Sequence, residues 1–142
     1  MRFMIIRKAD RDTEAGVLPG EALLAAMGAY MEEMGKAGVL LGGEGLHASS
    51  KGARVQFSKG KPTVIDGPFA ETKELIGGYC LIQVKSKQEA IEWAKRWPAL
   101  DANGEVVLEI RQMFEAEDFG PEFTPELREA EERLREQVDK RN

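Results

Sequence analysis

The sequence is poor in the residues that most sharply narrow function. One cysteine and one histidine occur in 142 residues, so the chain holds neither a disulfide framework nor a cysteine-based metal site. Cys80 lies in the apolar run GGYCLIQV, where it reads as a small buried hydrophobe. A chain without disulfides suits a reducing compartment. Long hydrophobic runs are missing too: the start, MRFMIIRKADRD, has too few consecutive apolar residues for a signal peptide or a membrane span. A soluble, cytoplasmic protein with no membrane partner is expected. Basic blocks are also absent. The net charge is −5, from 25 acidic and 20 basic residues, and phosphate neutralisation needs clustered Lys and Arg, so no nucleic-acid partner is expected. Neither G-x-G-x-x-G nor a Walker A pattern occurs, and no cofactor is expected.

What is present is an alternation of strand and helix patterns, in a chain whose length fits one ordinary core. Residues 2–7 form a β-rich run with Phe3 and Ile5 toward one face and Met4 and Ile6 toward the other. Leu23, Leu24, Met27, Met31 and Met34 recur at helical spacing, which predicts a helix from Gly20 to Lys36 that stops at Gly35 and Gly38. Residues 38–46, GVLLGGEGL, read as a strand running into glycines. ARVQF and PTVID flank the four-residue SKGK, a hairpin signal. In the next strand, 79–84, Tyr79, Leu81 and Gln83 alternate with Cys80, Ile82 and Val84. Ser86 and Glu89 then make an S-x-x-E capping box, for a helix that turns Ala90, Ile91, Ala94 and Trp97 inward and ends at Pro98. A last strand, 105–113, places Val106, Leu108 and Ile110 on one face.

The order is β-α-β, an inserted hairpin, then β-α-β. Right-handed crossovers make this an α+β, ferredoxin-like sheet with both helices on one face. The other face carries Met4, Ile6 and Val107, which are awkward to expose on a monomer. A second copy packing its own sheet there would cover them, so a homodimer is expected.

Residues 1–114 form this domain, and residues 115–142 read as a linker and an amphipathic C-terminal helix. The acid excess lies in that second segment, leaving the body close to neutral. Thr124 is the N-cap and Pro125 takes the first helical position. Leu127, Ala130, Leu134 and Val138 make a narrow stripe, flanked by the i,i+4 pairs Glu129–Arg133, Glu131–Arg135 and Glu136–Lys140. Such a helix is marginal alone, so its stripe is expected to dock on its own body or on a partner.

Residues able to carry chemistry gather around TVIDGPFAETKELIGGY, residues 63–79. His47 is the only side chain whose ordinary titration lies near neutrality, so a general base starts there; its plainer role is a turn histidine bonded to backbone. Asp66 ends the return strand of the hairpin, which brings it back toward residues 50–53 and hence His47. A carboxylate within reach would hold the imidazole in one tautomer. Its plainer role is an Asp-Gly turn. Glu44 is an alternative carboxylate partner. Glu71 and Lys73 are too polar for a core: Lys73 can bind an anionic group or offset a developing enolate, and the plainer reading is a charged loop with a helical turn. No metal site is expected, since Glu44, His47 and Asp66 lack an i,i+4 histidine pair or a CxxC. The expected site is thus His47 and Asp66 as catalytic pair, with Glu44, Glu71 and Lys73 contacting an unidentified small molecule.

The string GGEGLHASSKGARVQFSKGKPTVIDGPFAETKELIGGY, followed by EAIEWAKRWP and VVLEIRQMFEAEDFG, resembles the DGPFAETKE proteins, the DGPF-type branch of the YCII-related family. The resemblance spans nearly the whole chain, and Asp66–Glu74 is present in full. It implies a dimeric α+β barrel. In the wider family a His and an Asp in a cleft at the sheet are proposed as a catalytic pair, and some relatives act in the breakdown of chlorinated aromatics. Their histidine stands in a different sequence context from His47, so no role passes to His47 by position. The function expected is that of a cofactor-independent small-molecule enzyme moving a proton with a His–Asp pair. The alternatives are a non-catalytic binding or regulatory dimer, or a DGPF loop that serves the dimer interface.

Overall fold

The computed structural model describes residues 1–142 and divides them into two units, Met1–Gln112 and Met113–Asn142. In the first, β1 (Arg2–Lys8), β2 (Leu40–Gly45), β5 (Ile76–Gln83) and β6 (Leu108–Gln112) form one sheet, while β3 (Ala53–Ser58) and β4 (Lys61–Asp66) form a separate hairpin. The sheet order is β2-β5-β1-β6 with every neighbouring pair antiparallel. That is the ferredoxin-like arrangement: α2 (Glu21–Lys36) joins β1 to β2 across β5, and α3 (Lys87–Ala94) joins β5 to β6 across β1.

The period-2 pattern of the strands decides what the sheet buries. Phe3 pairs with Ile82 and Ile5 with Cys80, so these four side chains share one face, and each is essentially inaccessible to water. Tyr30 and Met34 of α2 and Ala90, Trp93 and Ala94 of α3 close over them. Burying Phe3, Ile5, Met34 and Ile82 contributes about 1.5–3 kcal/mol each. The Tyr30 hydroxyl donates to the Trp93 carbonyl at 2.7 Å, fastening α2 to α3. Cys80 behaves as a packed hydrophobe, its thiol pushed up to about 11 by burial.

The opposite face carries Met4, Ile6, Tyr79 and Leu81, all half-buried. Glu44 and Glu109 share that face, because Glu44 pairs with Tyr79 and Glu109 with Ile6. No helix covers it.

Several boundaries differ from the spacing-based expectation. The last strand starts at Leu108, not 105, because Asp101–Gly104 coils as a 3-10 turn with Ala102 and Asn103 at φ of 51° and 52°. Within SKGK only Lys59 and Gly60 form the turn; both have positive φ, so Ser58 and Lys61 still pair in the ladder. In α2, Tyr30 is buried and Leu24 is exposed. In α3, Trp93 is buried. Ser86 caps Glu89 as expected, but the Glu89 carboxylate accepts from the Lys85 N–H rather than that of Ser86. The stretch read as a polar loop contains a one-turn helix, α1 (Arg11–Glu14), held by reciprocal bonds between Asp10 and Thr13.

In the second unit, α4 (Pro125–Arg141) begins at the expected residue, with the Thr124 hydroxyl accepting from the Leu127 N–H. Glu129–Arg133 and Glu131–Arg135 form ion pairs at 3.3 and 2.6 Å. Leu127, Leu134 and Val138 are exposed. No helix is long and apolar enough to cross a membrane.

Candidate functional site

The DGPF stretch is held in place through Ser49. After β2, Leu46 still donates its N–H to the Gly77 carbonyl; the chain then leaves the sheet through His47 and Ala48 into a 3-10 turn, Ser49–Lys51. The Ser49 hydroxyl accepts from the Phe69 N–H at 3.0 Å and donates to Glu14 Oε1 at 2.5 Å. The Ser49 N–H donates to Glu14 Oε2 at 2.9 Å. Beside it the Gly67 N–H donates to the Gly52 carbonyl, and a side chain at Gly67 would collide with the Ser49 carbonyl. Gly67 is therefore a steric requirement of this contact as well as a turn residue. The Gly67-Pro68 peptide is cis.

Glu14 belongs to α1, and α1 is tied to the core by charge. Arg7, the one charged residue on the buried face of β1, donates from Nε and Nη2 to the Asp101 carboxylate at 3.1 and 2.7 Å and from Nη2 to Asp10 at 3.2 Å. Trp97 Nε1 donates to the same Asp101 carboxylate at 2.9 Å. Arg7 and Asp101 are 8% and 7% exposed, so neither charge could stay there without the other. Burial raises the Asp101 carboxyl, but the hydrogen bonds from Arg7 and Trp97 and the Arg7 charge outweigh it and hold the group below its ordinary value. The Arg7 guanidinium is raised chiefly by its bond to Asp101. A continuous polar path thus runs from Asp101 through Arg7, Asp10 and Glu14 to Ser49 and the DGPF loop.

The expected site residues lie around this clamp. His47 is exposed two residues before Ser49, and Asp66 is exposed immediately before Gly67, so the Ser49–Gly67 contact sets their segments side by side. Their side chains exchange no hydrogen bond or ion pair. Glu44 stands on the open sheet face opposite Tyr79. Glu71 and Lys73, both exposed, sit at the cap and within the 3-10 turn Thr72–Glu74. No three His, Cys, Asp or Glu side chains converge as a metal would need. A shallow groove of about 390 Å³ between α3 and β6, lined by Ile91, Trp97, Val106 and Leu108 among others, includes none of the five candidates.

Three participants escaped the sequence reading. Arg54 lays its guanidinium 3.9 Å over the Phe69 ring, adding a cation beside the loop. Ser49 and Glu14 form the clamp itself, and the nearest sequence signal for it is the D-x-x-T helix start at Asp10, which would have placed Glu14 on a fixed turn. Between Glu44 and Lys73 the chain thus exposes one imidazole, three carboxylates and two cations, in His47, Glu44, Asp66, Glu71, Arg54 and Lys73.

Comparison with known proteins gives three findings. The YCII-related domain matches residues 1–115. An uncharacterised protein of Rhizobium meliloti (strain 1021), R00369, is 46% identical over 43 residues, which cover 30% of this chain and 35% of that relative's length. A solved structure, the 5-chloro-2-hydroxyhydroquinone dehydrochlorinase of Burkholderia phenoliruptrix AC1100 in complex with 2,5-dihydroxybenzoquinone, is 18% identical and overlaps 82% of this chain and 98% of its own, with a TM-score of 0.41.

Proposed function

From the premise that this chain belongs to the YCII-related family, we propose that it is a homodimeric small-molecule enzyme whose site lies where the DGPF loop meets the end of β2. The observation that carries this reading is the Ser49 clamp, which holds the segments of His47 and Asp66 together from two separate connections. A turn alone needs no such anchoring. In this reading His47 takes a proton from a carbon next to a carbonyl, the electron pair moves onto the carbonyl oxygen, and Lys73 offsets the charge of the enolate. Asp66 orients the imidazole, and Glu44 and Glu71 contact the ligand's polar groups. A second copy over Met4, Ile6, Tyr79 and Leu81 closes the open face and shields the site from water.

A second reading is a binding or regulatory dimer without chemistry, and one observation favours it: His47 and Asp66 exchange no hydrogen bond. A panel of small carbonyl-bearing and aromatic compounds separates the two. The enzyme reading expects a compound that is consumed, with turnover falling about 10²–10⁴-fold in His47→Ala. Because His47 is exposed, the variant should keep its stability within about 0.5 kcal/mol. If compounds bind and His47→Ala changes only their affinity while none is consumed, the regulatory reading stands instead.

A further inference from the structure

The β3–β4 hairpin is built inside out for a monomer. All its residues are exposed. Its register nevertheless sorts them into two unlike sides: Ala53, Val55 and Phe57 pair with Asp66, Val64 and Pro62, and Arg54, Gln56 and Ser58 pair with Ile65, Thr63 and Lys61. The first side is apolar except at its base, and Val55, Phe57 and Val64 on it are 55%, 67% and 66% exposed. The second side is the more polar, and through Arg54 on Phe69 it is the one that touches the chain's own loop. A hairpin serving its own core would face the other way. An isolated two-stranded hairpin is marginal in water, so this apolar side needs a cover.

We infer that the hairpin is a clasp: in the homodimer its apolar side lies along a second copy of this chain, beside the open sheet face. Two features argue for a second copy as occupant. The first is charge. Lys51, Arg54, Lys59 and Lys61 make the hairpin basic, with no acidic residue from 51 to 65, in a chain whose net charge is −5. Residues 1–114 are close to neutral, so without its hairpin the rest of a second copy's body carries an acid excess. On its open sheet face Glu44 and Glu109 stand with Arg111, which bridges Glu109. The second is area. Six residues of strand span about 20 Å, so one side of the hairpin presents about 200 Å². Two reciprocal clasps, counted with the surface they cover, come to about 800 Å², roughly half of a standard interface, and the open sheet faces can supply the rest. Exchange of identical arms about a two-fold axis is closed, which ends assembly at the dimer.

The inference rests on the dimer proposed above, and sedimentation equilibrium separates the failure of either. The wild-type chain is expected to be dimeric at micromolar concentration. Phe57→Glu/Val64→Glu is expected to weaken the dimer at least a hundredfold while the far-UV CD spectrum is kept, since neither residue belongs to the core. Val55→Thr/Val64→Thr, which retains strand propensity, should weaken it in the same direction, and Thr63→Glu, on the polar side, should leave it unchanged. A wild-type dimer that both apolar-side variants leave intact would overturn the clasp and spare the dimer. A monomeric wild type would overturn both.

Discussion

Arg7 and Asp101 stand 94 positions apart and meet as a buried bidentate pair, with bonds of 2.7 and 3.1 Å. The pair takes an inward position on β1 that an apolar residue would fill in an ordinary core, and through Asp10 it fixes the helix that carries Glu14. Asp101→Ala would leave the guanidinium buried with Asp10 as its one carboxylate and the Lys8 carbonyl as its other acceptor. A loss of about 3–5 kcal/mol is expected by urea denaturation. A loss below about 1 kcal/mol would mean that Asp101 is dispensable to the charge.

The same pair sets an acid limb. Asp101 and Asp10 both titrate below their ordinary value of 3.8 when folded. A depressed carboxylate stabilises the fold fully above its unfolded value and loses that contribution as pH falls through the folded one. Stability should therefore be flat near neutrality and fall below pH 3.8. Asp101→Asn should show a shallower acid limb in denaturation midpoints measured across that window, and an unchanged slope would assign the limb to other groups.

Gly67→Ala is expected to be destabilising by about 1–3 kcal/mol or more, because the neighbour that a side chain meets is the Ser49 backbone and cannot rotate away. Thermal unfolding checks the size. A neutral result would show that the Ser49 segment can retreat.

Ser49→Ala removes the acceptor of the Phe69 N–H and the donor to Glu14. A cost of about 1–2 kcal/mol is expected, with faster amide exchange at Phe69. Unaltered exchange there would mean that the loop is held by Gly67 alone.

Much of the scaffold is legible in local pattern. Alternation at Phe3 and Ile5 finds β1, and Thr124-Pro125 finds the start of α4 to the residue, because caps and periodicity are properties of neighbours in sequence. The clamp is not legible for the opposite reason: its bonds join residues 94, 35 and 20 positions apart. Arg7 interrupts the apolar alternation of β1 and so announces a buried charge, but nothing local names Asp101 as its partner. The hairpin shows a third limit. Its strands read correctly, yet which side faces the body depends on Arg54 stacking on Phe69, a contact invisible in either strand alone.

His47 is the sole histidine, so its ring gives a single, assignable NMR signal. Titrating the protein with the compound panel while following that signal and the backbone amides of residues 66–74 is the most direct test of the site. A bound compound is expected to shift the His47 ring together with the amides of Asp66, Glu71 and Lys73. Shifts confined to the groove between α3 and β6, with His47 and the DGPF loop unmoved, would contradict that expectation.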